Sequence, residues 1–176
     1  MSTELAEEQI AEDGLFAEVD EEDEKANMFL LFHLADEIYG VNIKHVTEII
    51  EMQSITEVPD MPGFIKGVIN LRGRVIPVMD LRLRLDMSER DYDDRTCVII
   101  AQSEKTSMGV IVDTVAEVQS INNEEIEAAP EFNGDGKREN IVDGMGKMDD
   151  NVILLIDVHR LLTRRGIGEV VDSVEK

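Results

Sequence analysis

Residues 63–85 read GFIKGVINLRGRVIPVMDLRLRL, two short apolar runs (67–71 and 75–79) that pivot on Arg72-Gly73-Arg74 and end in an amphipathic tail. The pattern is that of a β-hairpin, and Gly73 supplies the positive φ that a tight connection requires. Pro77 has no N–H to give to a ladder, so its strand is expected to be an edge at that point. In DLRLRLDM (80–87), Leu81 and Leu85 stand four apart, which predicts a helical turn. A purely structural turn needs only Gly, Asn or Asp at its tip. Arg72 therefore has two readings: a turn arginine that is solvated or paired with a carboxylate such as Asp80, or an arginine placed to meet a partner through its planar fork.

Upstream, MFLLFHL (28–34), a polar turn at Ala35-Asp36-Glu37 and IYGV (38–41) form a second hairpin pattern, and HVTEII (45–50) reads as a further strand. Downstream the order returns. TCVIIAQ (96–102), a turn at 103–107 and MGVIV (108–112) make a hairpin, and TVAEV (114–118) follows it. At an offset of 69, Gly40, Val41, Val46 and Glu48 meet Gly109, Val110, Val115 and Glu117; at 77, Gly67, Val75, Ile76, Asp80 and Leu85 meet Gly144, Val152, Ile153, Asp157 and Leu162. The offsets differ by eight, the length of the polar stretch NGDGKREN (133–140), which reads as an enlarged loop. Each match is weak, but their common order predicts a duplicated unit of short antiparallel strands, each copy packed on its twin. At the tip the copies differ in sign: Arg72-Gly73-Arg74 becomes Asp149-Asp150-Asn151.

The 176 residues suffice for a substantial core, and 39 acidic against 17 basic side chains give a net charge of −22. That balance argues against a nucleic-acid partner, which needs clustered Lys and Arg. Residues 1–26 carry eleven acidic side chains and one Lys and read as a disordered acidic tail, so the domain is expected to start near Asn27. The C-terminal GIGEVVDSVEK (166–176) reads as a tail or one short amphipathic helix. Acidic residues rather than Lys or Arg follow Met1, and no apolar run approaches a membrane span, so a soluble cytoplasmic protein without a signal peptide or membrane insertion is expected. The single Cys97 rules out an internal disulfide and fits a reducing compartment.

Catalytic, metal and cofactor chemistry find no footing. His33, His45 and His159 are scattered without ligand spacing, and Cys97 lies in an apolar run with no activating base beside it. NGDGKREN lacks the acidic spacing of a calcium loop, and no Gly-Lys-Ser/Thr follows Gly144-Met145-Gly146. The chain is expected not to be an enzyme and to carry no catalytic, metal or cofactor residues.

YGVNIKHVTEII (39–50), FIKGVINLRGRVIPVMDLR (64–82) and GVIVDTVAEV (109–118) closely resemble the CheW-like family, the coupling domains of bacterial chemotaxis. The resemblance covers about residues 27–165. It implies an all-β fold of two small five-stranded SH3-like β-barrels with short helical turns, lobes at roughly 27–90 and 91–165, and terminal strands that can be exchanged between them. It further implies a non-enzymatic scaffold that joins chemoreceptors, the methyl-accepting chemotaxis proteins, to the histidine kinase CheA. Its partners would be the kinase's regulatory domain and the cytoplasmic receptor tip. A CheW-like adaptor for a non-chemotactic receptor–kinase array is the alternative. Carried onto this sequence, the family pattern puts Val46, Glu48, Ile49, Gly67, Asn70, Leu71 and Arg72 at a receptor-facing groove between the barrels. Val46 and Ile49 would form the groove floor, with Glu48 and Arg72 as polar rim.

Overall fold

The computed structural model describes residues 27–128 and 141–163. The expectations for the acidic tail (1–26), the stretch 133–140 and the segment 166–176 concern residues outside the described ones. The described chain runs β1 (Met28–Leu34), β2 (Glu37–Asn42), β3 (Val46–Glu51), β4 (Ile65–Leu71), β5 (Arg74–Asp80), α1 (Leu81–Arg84), β6 (Cys97–Ser103), β7 (Thr106–Val112), β8 (Thr114–Ser120), β9 (Ile126–Ala128), β10 (Val142–Met148), β11 (Asn151–Ile156) and α2 (Val158–Thr163). The two offsets of the sequence repeat map β1–β3 onto β6–β8, and β4, β5 and α1 onto β10, β11 and α2. The caps repeat as well. Asp80 Oδ1 accepts from Leu83 N at 3.4 Å, and Asp157 Oδ1 accepts from Arg160 N at 3.0 Å. Helix α2 is absent from the sequence reading, although its offset of 77 from α1 points to it.

The strands form a six-stranded sheet, β8-β1-β2-β11-β10-β9, and a five-stranded sheet, β3-β6-β7-β5-β4. Sheet membership cuts across the expected division near residue 90. Hairpin β1–β2 of the first copy lies among second-copy strands, and hairpin β6–β7 lies among first-copy strands. Two pairings, β11 with β2 and β5 with β7, are therefore parallel, a departure from the all-antiparallel expectation. They arise because each exchanged hairpin meets a strand from the other copy. The registers repeat down to the irregularities: Leu31 faces Glu117 and Phe32 faces Val115 across a bulge, as Ile100 faces Glu48 and Ala101 faces Val46. Pro77 sits inside the sheet order, but the β5–β7 ladder begins at Val78, one residue after the missing N–H.

Alternation along the strands sends side chains to different cores. Ile69, Ile76, Val78, Val98, Ile100 and Ile111 fill the five-stranded lobe; Phe29, Leu31, Ile121, Ile153 and Leu155 fill the six-stranded one. Between the lobes lies a larger shared core, including Leu30, Phe32, Leu34 and Val41 from the first hairpin and Ile99, Met108 and Val110 from the second. Both faces of the exchanged hairpins are thus buried, which explains their near-continuous apolar runs.

Candidate functional site

The quoted hairpin closes through a two-residue loop. Leu71 pairs with Arg74, and Arg72 (φ 53°) and Gly73 (φ 87°) both lie in the left-handed region. That is the geometry in which a hairpin turn matches the twist of its strands. Asn70 stabilises it, its Oδ1 accepting from Gly73 N at 2.8 Å. The turn aims Arg72 across the lobe at Glu48 on β3. Arg72 Nη1 donates to Oε1 at 2.8 Å and Nη2 to Oε2 at 2.9 Å, a bidentate fork. Since β3 and β4 are the two edges of the five-stranded sheet, this pair fastens one edge to the tip beside the other. The same edges are joined where Thr56, just beyond β3, exchanges hydrogen bonds with Val68 of β4 at 2.8 and 2.9 Å. The hydrogen bonds from Arg72 hold the Glu48 carboxyl below its ordinary range, and Glu48 raises the Arg72 guanidinium in turn. Asp80, the partner suggested by proximity in sequence, is instead buried, capping α1 and accepting from the Tyr92 hydroxyl at 2.8 Å.

The expected site residues divide by what they touch. Glu48 and Arg72 are joined directly, and the Arg72 side chain remains 72% exposed. Ile49, next to Glu48, leaves 42% of its surface in solvent. Val46 and Leu71 are half-buried, the first packed on the shared core and the second on the five-stranded lobe. Gly67 is buried at the bulge of β4 with φ 145°, and a Cβ there would stand 2.1 Å from the Thr56 carbonyl oxygen. It is there because the crossing chain leaves no room for a side chain.

Two features escaped the sequence reading. Val75 (54% exposed) at the foot of β5 shares the tip with Arg72 and Arg74, and the other exposed large apolar side chains among the described residues are those of Ile49 and its copy Val118, together with Val75's copy Val152. The repeat offsets relate these four positions and were the available signal. The second feature is a polar cluster at the seam between lobes. Asp113, in the β7–β8 junction, accepts from Arg82 Nε at 2.7 Å and Nη2 at 2.5 Å, from Arg90 at 3.2 Å and from the Ala35 amide at 2.8 Å. Burial alone would raise the Asp113 pKa, but these donors outweigh it and the net displacement is downward. No sequence spacing brings residues 35, 82, 90 and 113 together.

The model of the CheW-like domain matches residues 28–166 of this chain. The chain is 36% identical over 148 residues to the chemotaxis protein CheW of Klebsiella aerogenes, covering 84% of this chain and 88% of that one. To the chemotaxis protein CheW of Bacillus subtilis it is 34% identical over 136 residues, covering 77% and 86%. Among solved structures, the scaffolding protein TtCheW from Thermoanaerobacter tengcongensis is similar with a TM-score of 0.72 and 37% identity, over 80% of this chain and 94% of that one.

Proposed function

The chain belongs to the CheW-like domain family, and from that premise we propose that it is a non-catalytic scaffold of bacterial chemotaxis, coupling methyl-accepting receptors to the histidine kinase CheA. The observation that carries the reading is the match over nearly all described residues to the CheW-like domain and to proteins named as chemotaxis and scaffolding proteins. Its partners are the regulatory domain of the kinase and the cytoplasmic tip of the receptors. It works in the cytoplasm and is recruited to membrane-associated arrays; no helix among the described residues is long and apolar enough to cross a membrane.

The receptor site in this proposal is built from Val46, Glu48, Ile49, Gly67, Asn70, Leu71 and Arg72. Their roles differ. Ile49 offers exposed apolar surface and Arg72 an exposed guanidinium, the two kinds of contact an amphipathic receptor helix needs. Glu48 holds the guanidinium at a fixed place, and Asn70 and Gly67 hold the hairpin that presents it. Val46 and Leu71 support the surface from beneath. The scaffold raises the effective concentration of kinase beside receptor tips by holding both at once. The direct test is calorimetric titration of the full chain with the isolated regulatory domain of its cognate kinase. Saturable one-to-one binding is expected, and no binding by folded protein overturns the reading.

A further inference from the structure

The five-stranded lobe ends in an exposed basic tip with apolar surface beside it. Arg72 is mostly exposed even in its fork with Glu48, and Arg74 is exposed with no carboxylate partner among the described residues. Ile49 follows Glu48 and Val75 follows Arg74, both exposed. The same chain carries the complementary chemistry outside the described fold. The 26 residues before Asn27 hold eleven acidic side chains and one Lys, and they divide in two. Nearest the fold is the unbroken run Asp20-Glu21-Glu22-Asp23-Glu24; before it, residues 7–19 interleave five carboxylates with Ile10, Leu15, Phe16 and Val19. The chain enters the fold at Asn27, whose carbonyl accepts from Ile121 N at 2.8 Å. Ile121 and Asp149 line one cleft of the six-stranded lobe, so the acidic run joins the body beside that lobe's acidic tip.

We propose, resting on the receptor assignment made above, that residues 7–19 seat on the Arg72–Arg74 tip as an intramolecular cover that competes with the receptor. Charge selects the seat. Like charges at Asp149 and Asp150 hold the segment off the lobe where it emerges, while two guanidinium groups stand together on the other lobe. Composition fits it as well: the segment mixes carboxylates with apolar side chains, as the tip mixes arginines with Ile49 and Val75. Reach allows it. Val19 stands eight residues before Asn27 and Glu7 twenty, so an extended chain carries them about 28 to 70 Å, against about 35 Å across a compact body of this size. The run 20–24 is the spacer, since adjacent like charges extend a chain. A cover tethered to its own molecule acts at about millimolar effective concentration, so individually weak contacts suffice. While it is seated, Arg72 and Ile49 are withheld, and the apparent receptor affinity falls by the fraction of molecules left uncovered.

The test compares the native full chain with two full-length variants of equal charge. The cover variant is Glu7→Gln/Glu8→Gln/Glu12→Gln/Asp13→Asn/Glu18→Gln. The spacer variant, Asp20→Asn/Glu21→Gln/Glu22→Gln/Asp23→Asn/Glu24→Gln, removes the same number of charges and leaves the cover intact. Titration with a receptor-tip fragment is expected to show about three- to tenfold tighter binding by the cover variant and near-native affinity for the spacer variant. The gain is expected to fade at high salt, where the charges are screened. In heteronuclear NMR spectra without receptor, the amides of Ile49, Arg72, Gly73, Arg74 and Val75 are expected to shift in the cover variant and to stay near their native positions in the spacer variant. Unchanged tip amides in the cover variant, or equal tightening by both variants, overturn the proposal. Shifted amides with native receptor affinity overturn the competition. Tip amides that move with protein concentration overturn the intramolecular seat and assign the tip to a second copy. A native chain that does not bind the receptor fragment overturns the receptor assignment instead, while the amide comparison still decides whether the segment docks.

Discussion

Arg72 is the residue at which a structural ion pair and the proposed receptor contact coincide. It is mostly exposed and its fork lies on a surface carboxylate, an arrangement that contributes little to folding where water screens it. Arg72→Glu is therefore expected to leave the thermal midpoint almost unchanged while weakening receptor-tip binding by about tenfold or more. The exchanged double variant Glu48→Arg/Arg72→Glu separates the two roles, since it can re-form the ion pair with its charges reversed. Receptor binding that recovers in the double variant would make the pair a clasp and nothing more; binding that stays lost marks the guanidinium itself as the contact. Gly67 is the opposite case. A methyl group there meets the Thr56 carbonyl at 2.1 Å in a backbone conformation that L-residues rarely adopt. Gly67→Ala must break the Thr56–Val68 bridge, and a loss of about 2–4 kcal/mol is expected, a fall of roughly 5–15 °C in Tm. Calorimetric unfolding measures it, and an unchanged midpoint would show that the crossing chain yields freely.

At the scale of elements, the Asp113 cluster ties three segments that no single sheet joins: the β1–β2 turn through Ala35, α1 through Arg82 and the following loop through Arg90. Because the folded carboxyl titrates below its ordinary range, the native state holds this proton less tightly than the unfolded chain does. Its contribution is fully present above the ordinary carboxylate pKa of about 4 and is lost as pH falls through the lower folded value. Asp113→Asn is expected to lower stability at neutral pH by about 2–4 kcal/mol, with Arg82 left short of its partner. It should also flatten the fall in Tm between about pH 5 and pH 3 relative to the native chain. An equally steep fall in the variant would place the acid sensitivity elsewhere. How much of this was legible in the sequence depends on range. The hairpins, the Arg72-Gly73 turn and the α1 turn follow from local periodicity and turn chemistry, and the repeat could be counted from short identities. The partner of Arg72 could not, because Glu48 lies 24 residues away and is reached only when the sheet edges meet. The Asp113 cluster was hidden for the same reason, and the strand exchange that the family resemblance allowed could not be assigned to particular hairpins: antiparallel patterning tells which residues make strands, and the choice of neighbour depends on packing across the shared core.

The exchange sets the behaviour of the whole molecule. Among the described residues β3 pairs only with β6, and β5 finds its second neighbour in β7, so the five-stranded sheet cannot form from residues 27–90 alone. The six-stranded sheet likewise lacks its middle without β1 and β2, which lie between β8 and β11. The shared core draws on both exchanged hairpins, so separating the halves at residue 90 would also expose Leu30, Phe32, Ile99 and Val110 together. Internal duplication usually suggests two folding units, but here each copy supplies the interior of the other's sheet. Fragments 27–90 and 91–165 are expected to be unfolded in isolation by circular dichroism and to recover β-signal when mixed, since together they contain every ladder. The intact chain is expected to unfold in one cooperative transition, with calorimetric and van't Hoff enthalpies equal. Two resolved transitions, or a native-like spectrum from either fragment, would mean that the seam is a docking contact between independent lobes. A single transition implies that the surfaces of the two lobes are presented by one rigid body. Their spacing is then fixed by the core, as a scaffold that holds two partners at once requires.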